Sequence, residues 1–138
     1  LFFAESDAGM YISVKDYDPE AEVDLPAYLT DIAANVGGNM RERGFAVSPP
    51  RAVTIQVEHQ TIPAVFLMVD LEQLEPNTAQ LNYWTAQQRS DGMMLDFHVS
   101  AIVPTDLTRE ETNTILDVME RTVGLFSLLE SPRPAGGS

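Results

Sequence analysis

The sequence predicts a single α+β domain: one antiparallel sheet with an N-terminal hairpin and two main helices packed on it. Period-two apolar runs recur through the middle of the chain, helical stripes precede and follow them, and an Asp-Gly pair stands between the two longest strand patterns. With 138 residues, 44% of them hydrophobic and 21% charged, the chain is long enough for one layered core, short for two, and ordinary in composition. Residues 1–130 are expected to form the domain. Residues 131–138, Ser-Pro-Arg-Pro-Ala-Gly-Gly-Ser, have linker composition with nothing to bury and read as a flexible tail.

Met10, Ile12 and Val14 alternate with polar or amphipathic residues, and Asp7-Ala8-Gly9 reads as a turn, so a hairpin with residues 2–5 is expected. After an acidic stretch, Leu25, Leu29, Ile32, Val36 and Met40 recur at helical spacing. Asp24 suits the N-cap, Pro26 the tolerant first turn and Gly44 the C-terminal stop. Gly37-Gly38 weakens the middle of this helix by about 1 kcal/mol per glycine relative to alanine, so packing must hold it or a kink forms. Residues 45–47, 53–57 and 64–71 read as strands, with Glu58-His59-Gln60-Thr61 a polar corner. Residues 80–88 and 93–103 flank Arg89-Ser90-Asp91-Gly92, whose Asp-Gly supplies the positive φ of a tight hairpin. Met93, Leu95, Phe97, Val99, Ala101 and Val103 then share one face, and Asp96, His98 and Ser100 the other. Thr108-Arg109-Glu110-Glu111 is a capping box opening a helix whose stripe runs through Ile115, Met119, Val123, Phe126 and Leu129 until Pro132. Ile32, Val36, Phe97, Val99, Met119 and Val123 are the expected core.

Twenty-one acidic against eight basic residues give a net charge of −13, which disfavours binding to phosphate backbones or anionic lipid and favours a protein partner with a basic surface. The absence of cysteine excludes disulfides, thiolate nucleophiles and cysteine-ligated metals. Leu1-Phe2-Phe3-Ala4 is too short for a signal h-region or a membrane span, so membrane insertion by this segment is not expected, and an upstream piece is expected to have been removed.

In element order the chain resembles the PsbP/DcrB-like family. The resemblance is carried by Tyr11 to Val14 leading through Asp24-Leu25-Pro26-Ala27-Tyr28-Leu29 into the first helix, by Ile62-Pro63-Ala64-Val65 opening a central strand, and by the long strand before the helix of residues 108–129. It implies an α/β/α sandwich. Members of that family include exported lipoproteins, a photosystem extrinsic subunit, a nuclear-transport cofactor and secretion-system chaperones, so it implies binding roles in a bacterial envelope or a secretion system rather than one activity.

Candidate chemistry is sparse. Residues 16–24 carry five carboxylates, but an EF-hand register from Asp16 puts Ala21 where glycine is needed and Ala27 where a bidentate glutamate is needed; a solvated acidic loop is the expectation, with a weak surface calcium site as the alternative, and no metal or cofactor is assigned. His59 and His98 lack partners at metal-ligand spacing. Asp96 lies on the face of His98 and is placed to orient an imidazole, yet Ser100, the nucleophile at hand, lacks a glycine-flanked elbow. No phosphate-cradling glycine loop is present. Asn82, Tyr83, Trp84, Gln87 and Gln88 form an amide-rich aromatic strand of the kind found at flat protein contacts, with cross-strand packing as the alternative. Tyr17 and Tyr28 flank the acidic loop, and Met93-Met94 suits either an adaptable surface or a core. The expected function is a non-enzymatic protein-interaction module of an envelope or secretion-associated protein, binding through residues 82–88. Its rivals are a chaperone sheltering apolar segments of a secreted effector and a hydrolase-like enzyme using His98 and Asp96.

Overall fold

The computed structural model describes residues 8–16, 23–57, 60–88 and 93–130. Their elements are β1 (Ala8–Asp16), α1 (Leu25–Glu42), β2 (Ala46–Val47), β3 (Arg51–Val57), β4 (Gln60–Asp70), β5 (Thr78–Gln88), β6 (Met93–Pro104) and α2 (Arg109–Glu130). Among the described residues the strands form one six-stranded antiparallel sheet in the order β1-β6-β5-β4, with β2 and β3 both pairing the outer side of β4. The fold is the expected α+β class, and the helices take opposite faces. Leu29 and Ala33 of α1 pack against Val65, Leu67, Val69 and Trp84, while Met119 and Val123 of α2 pack against Leu81, Tyr83, Leu95, Phe97 and Val99. These two sets alternate along β4, β5 and β6, as a pleated strand requires.

Local chemistry explains the boundaries. Asp24 caps α1 by accepting from Ala27 N–H at 3.2 Å. At the other end Gly44 adopts φ +96°, so its N–H donates to Arg41 O and Phe45 N–H to Met40 O, a Schellman closure that satisfies the last carbonyls. In α2, Glu111 N–H donates to Thr108 Oγ1 at 3.1 Å and Thr108 N–H to a Glu111 carboxylate oxygen at 3.0 Å, the reciprocal capping box. The arms of the β5–β6 hairpin pair throughout; their turn, like residues 2–5, the acidic loop from Tyr17 to Glu22, His59 and the tail, lies outside the described residues.

Three expectations are corrected. Gln60 and Thr61, read as a corner, belong to β4 and pair with Val57 and Gln56. Ile32 and Val36 are half-buried flanks, because the buried line of α1 is Leu29, Ala33 and Gly37. Small residues there let the helix axis approach the sheet: a Cβ on Gly37 would stand 3.2 Å from Val47 Cγ1 and 3.7 Å from the Leu67 methyls, while one on Gly38 would meet nothing within 4 Å. Neighbouring substitutions should therefore differ in sign. Gly38→Ala is expected to raise stability by about 1 kcal/mol, and Gly37→Val to lower it by about 1–3 kcal/mol through overpacking, both read by urea denaturation. Finally, Ala8 and Gly9, read as part of a turn, belong to β1 and pair with Ala101 and Ser100, while Met10 and Ile12 share a face of β1 as expected, an exposed one.

β2 and β3 act as one interrupted strand. Val47 opposes Val69 and Arg51 opposes Phe66, so the intervening residues include one more on the outer strand than on β4, which makes a bulge at Pro49-Pro50. Ser48 holds the ladder together before it: its N–H donates to Met68 O at 2.9 Å, and Met68 N–H donates to its hydroxyl at 3.0 Å.

Candidate functional site

The strand expected to meet a partner is interior. β5 pairs with β4 on one side and β6 on the other, and Asn82, Tyr83 and Trp84 are 1, 2 and 4% exposed. Tyr83 points toward α2, Asn82 and Trp84 toward α1, Gln87 is half-buried, and the side chain of Gln88 lies outside those described. A flat contact through Asn82, Tyr83 and Trp84 is thus replaced by cross-strand packing. Met94 is likewise buried, in the α1-side core.

Asn82 instead organises a polar layer on the α1 side of the sheet. Its amide nitrogen donates to Leu67 O at 3.2 Å and faces Gln80 Oε1 at 3.4 Å, which turns Oδ1 toward His98 Nε2 at 2.9 Å. With Oδ1 as acceptor, the imidazole proton sits on Nε2 and Nδ1 keeps a lone pair. The ring of His98 lies between Trp84, at 4.4 Å and 9°, and Tyr11, at 5.5 Å and 30°, a stack across β5, β6 and β1. Burial in this stack pushes the imidazole pKa down to about 4, so His98 is neutral at physiological pH. Asp96 accepts from the Tyr28 hydroxyl at 2.8 Å, tying α1 to β6. The imidazole and the carboxylate are therefore each engaged by another side chain, His98 by Asn82 and Asp96 by Tyr28. Ser100, opposite Asn82, is buried.

An accessible feature lies at the other end of the sheet, where α2 crosses the outer strand. Thr54, Ile55 and Gln56 of β3 and Asp117, Glu120, Arg121 and Leu125 of α2 line a cleft of about 580 Å³. Ile55 forms its apolar floor and Leu125, 54% exposed, its apolar rim. Glu120 is held from below, accepting the Tyr83 hydroxyl at 2.7 Å; burial, reinforced by this carboxylate, drives the phenol pKa well above its ordinary range and keeps it a donor. A second depression of about 280 Å³ lies along the same strand toward α1, lined by Pro26, Ala52, Thr54 and Pro63 among others. Sequence reasoning missed this site. The available signal was the run Ala52, Thr54, Gln56, small or neutral at alternate positions, directly after Pro49-Pro50.

Among the described residues no three of His, Asp and Glu gather as a metal site, and no helix is long and apolar enough to cross a membrane. No family model and no curated protein matches the chain.

Proposed function

We propose that this chain is a non-enzymatic protein-interaction module that receives a basic partner at the cleft between β3 and α2. The observation that carries the reading is a strand edge that pairs with β4 alone among the described residues and is uncharged from Ala52 to Val57, beside a cleft with two carboxylates, one arginine and an apolar floor, on a chain with net charge −13. Long-range charge draws a cationic surface in, and Ile55 and Leu125 offer the short-range apolar contact that makes the encounter last. A bacterial envelope or secretion setting, and membership in the PsbP/DcrB-like family, belong to the same proposal and rest on the element order and on the resemblance it carries.

Site-directed photo-crosslinking in living cells tests the reading. A photoreactive residue at Gln56 or Leu125 is expected to capture one discrete partner, with capture falling as ionic strength rises in permeabilised cells. Leu74, exposed on the β4–β5 connection, is the control. Equal capture from Leu74, or none from the cleft positions, would remove the cleft as the site.

A further inference from the structure

Resting on that reading, we infer that β3 accepts an extended basic peptide as an additional strand of the sheet, with alternate side chains of the peptide dropping into the α2-side cleft and the α1-side depression. Among the described residues β3 pairs with β4 alone. Its register sets Thr54 opposite Pro63, which has no N–H to give, so this is a non-bonded pair of the ladder and Val53–Ala64 and Ile55–Ile62 are the bonded ones. Pro63 O confirms the phase, since it turns the other way and accepts the Thr85 hydroxyl at 2.8 Å. The N–H and C=O groups of Ala52, Thr54 and Gln56 therefore point outward, away from β4.

Exposed edges are normally guarded by lysine, proline, a bulge or inward charge. Here the proline bulge ends before Arg51, and from Ala52 to Val57 the strand carries no charge and no proline. Among the described residues the edge stays open over the stretch that both depressions flank. Side chains of an added strand would alternate between those flanks. On the α2 side, Asp117 and Glu120 outnumber the one cation, Arg121, beside Ile55 and Leu125, which suits lysine or arginine: the aliphatic stem lies on the apolar floor and the cation reaches the carboxylates. On the α1 side, Pro26, Ala52 and Pro63 leave room for a small apolar side chain. A second copy of this chain is a poor occupant, because two edges each carried by a molecule of charge −13 repel one another. The fitting partner is a foreign segment that alternates basic and small apolar residues, bound by main-chain hydrogen bonds with side-chain pockets setting the register.

The test uses the full chain and an octapeptide of alternating lysine and valine. Titration followed by amide NMR and hydrogen exchange is expected to protect Ala52, Thr54 and Gln56 and to shift Asp117 and Leu125. Two further peptides are N-methylated at alternate positions, one series on each strand face. One of them is expected to bind as the parent does and the other at least about tenfold more weakly, because only alternate amides of an added strand face β3. Equal binding of both, with shifts still centred on α2, would overturn strand addition and leave the cleft reading standing. Failure of the parent peptide to bind at millimolar concentration, or shifts elsewhere on the molecule, would overturn both.

Discussion

Phe97→Ala is expected to lower the unfolding free energy by about 3–5 kcal/mol, the usual cost of truncating a fully buried aromatic ring. Phe97 is 3% exposed in the middle of β6, packed in the cluster that includes Tyr83, Val99, Met119 and Val123. Tyr83 and Val99 are fixed on paired strands and Met119 and Val123 are fully buried on α2, so they have little freedom to close over the space the ring leaves. Urea denaturation should show a lower midpoint with an unchanged slope, since the surface exposed on unfolding barely alters. A loss below about 1 kcal/mol would mean that the ring is not held between β6 and α2. The same truncation should leave peptide binding at β3 intact in the folded fraction, because Phe97 does not line the cleft.

What the sequence made legible were the features written locally. The Asp24 cap, the Gly44 stop, the reciprocal pair Thr108 and Glu111, and the alternation along β6 each depend on residues a few positions apart, and all appear in the fold. Features that depend on which element lies where were not legible. Asn82, Tyr83 and Trp84 suit a partner surface and a covered central strand equally well; only the placement of α1 and α2 on opposite faces makes them interior. The apolar stripe of α1 pointed to Ile32 and Val36, whereas the smallest residues, Ala33 and Gly37, mark the line of closest approach. An edge such as β3 is defined by the absence of a neighbour, and periodicity carries no information about neighbours. Asp96 and His98 do share a face, as alternation requires, but their partners come from α1 and β5, far away in sequence.

Acid should destabilise the domain through His98, in a window that follows from the direction of its shift. In the folded chain the imidazole, stacked between Trp84 and Tyr11 and bonded through Nε2–H to Asn82, has its pKa pushed down to about 4 from the ordinary 6.5. As pH falls below 6.5 the unfolded chain takes up a proton that the folded chain refuses, so the contribution present at neutral pH is lost progressively and the loss levels off near pH 4. At about 1.4 kcal/mol for each pH unit of difference between the two states, that loss amounts to about 3 kcal/mol. His98→Gln keeps a donor toward Asn82 Oδ1 and removes the titration. The variant should be less stable than the parent at pH 7, because the stack is gone, but the gap between them should narrow by about 3 kcal/mol on going to pH 4. Carboxylates titrate in both proteins and cancel in that difference. Denaturation curves of the pair across this range, together with an NMR titration of the His98 ring, measure both quantities. A ring midpoint near 6.5 with a constant stability gap would mean that water reaches the imidazole and that the stack across β5, β6 and β1 opens in solution.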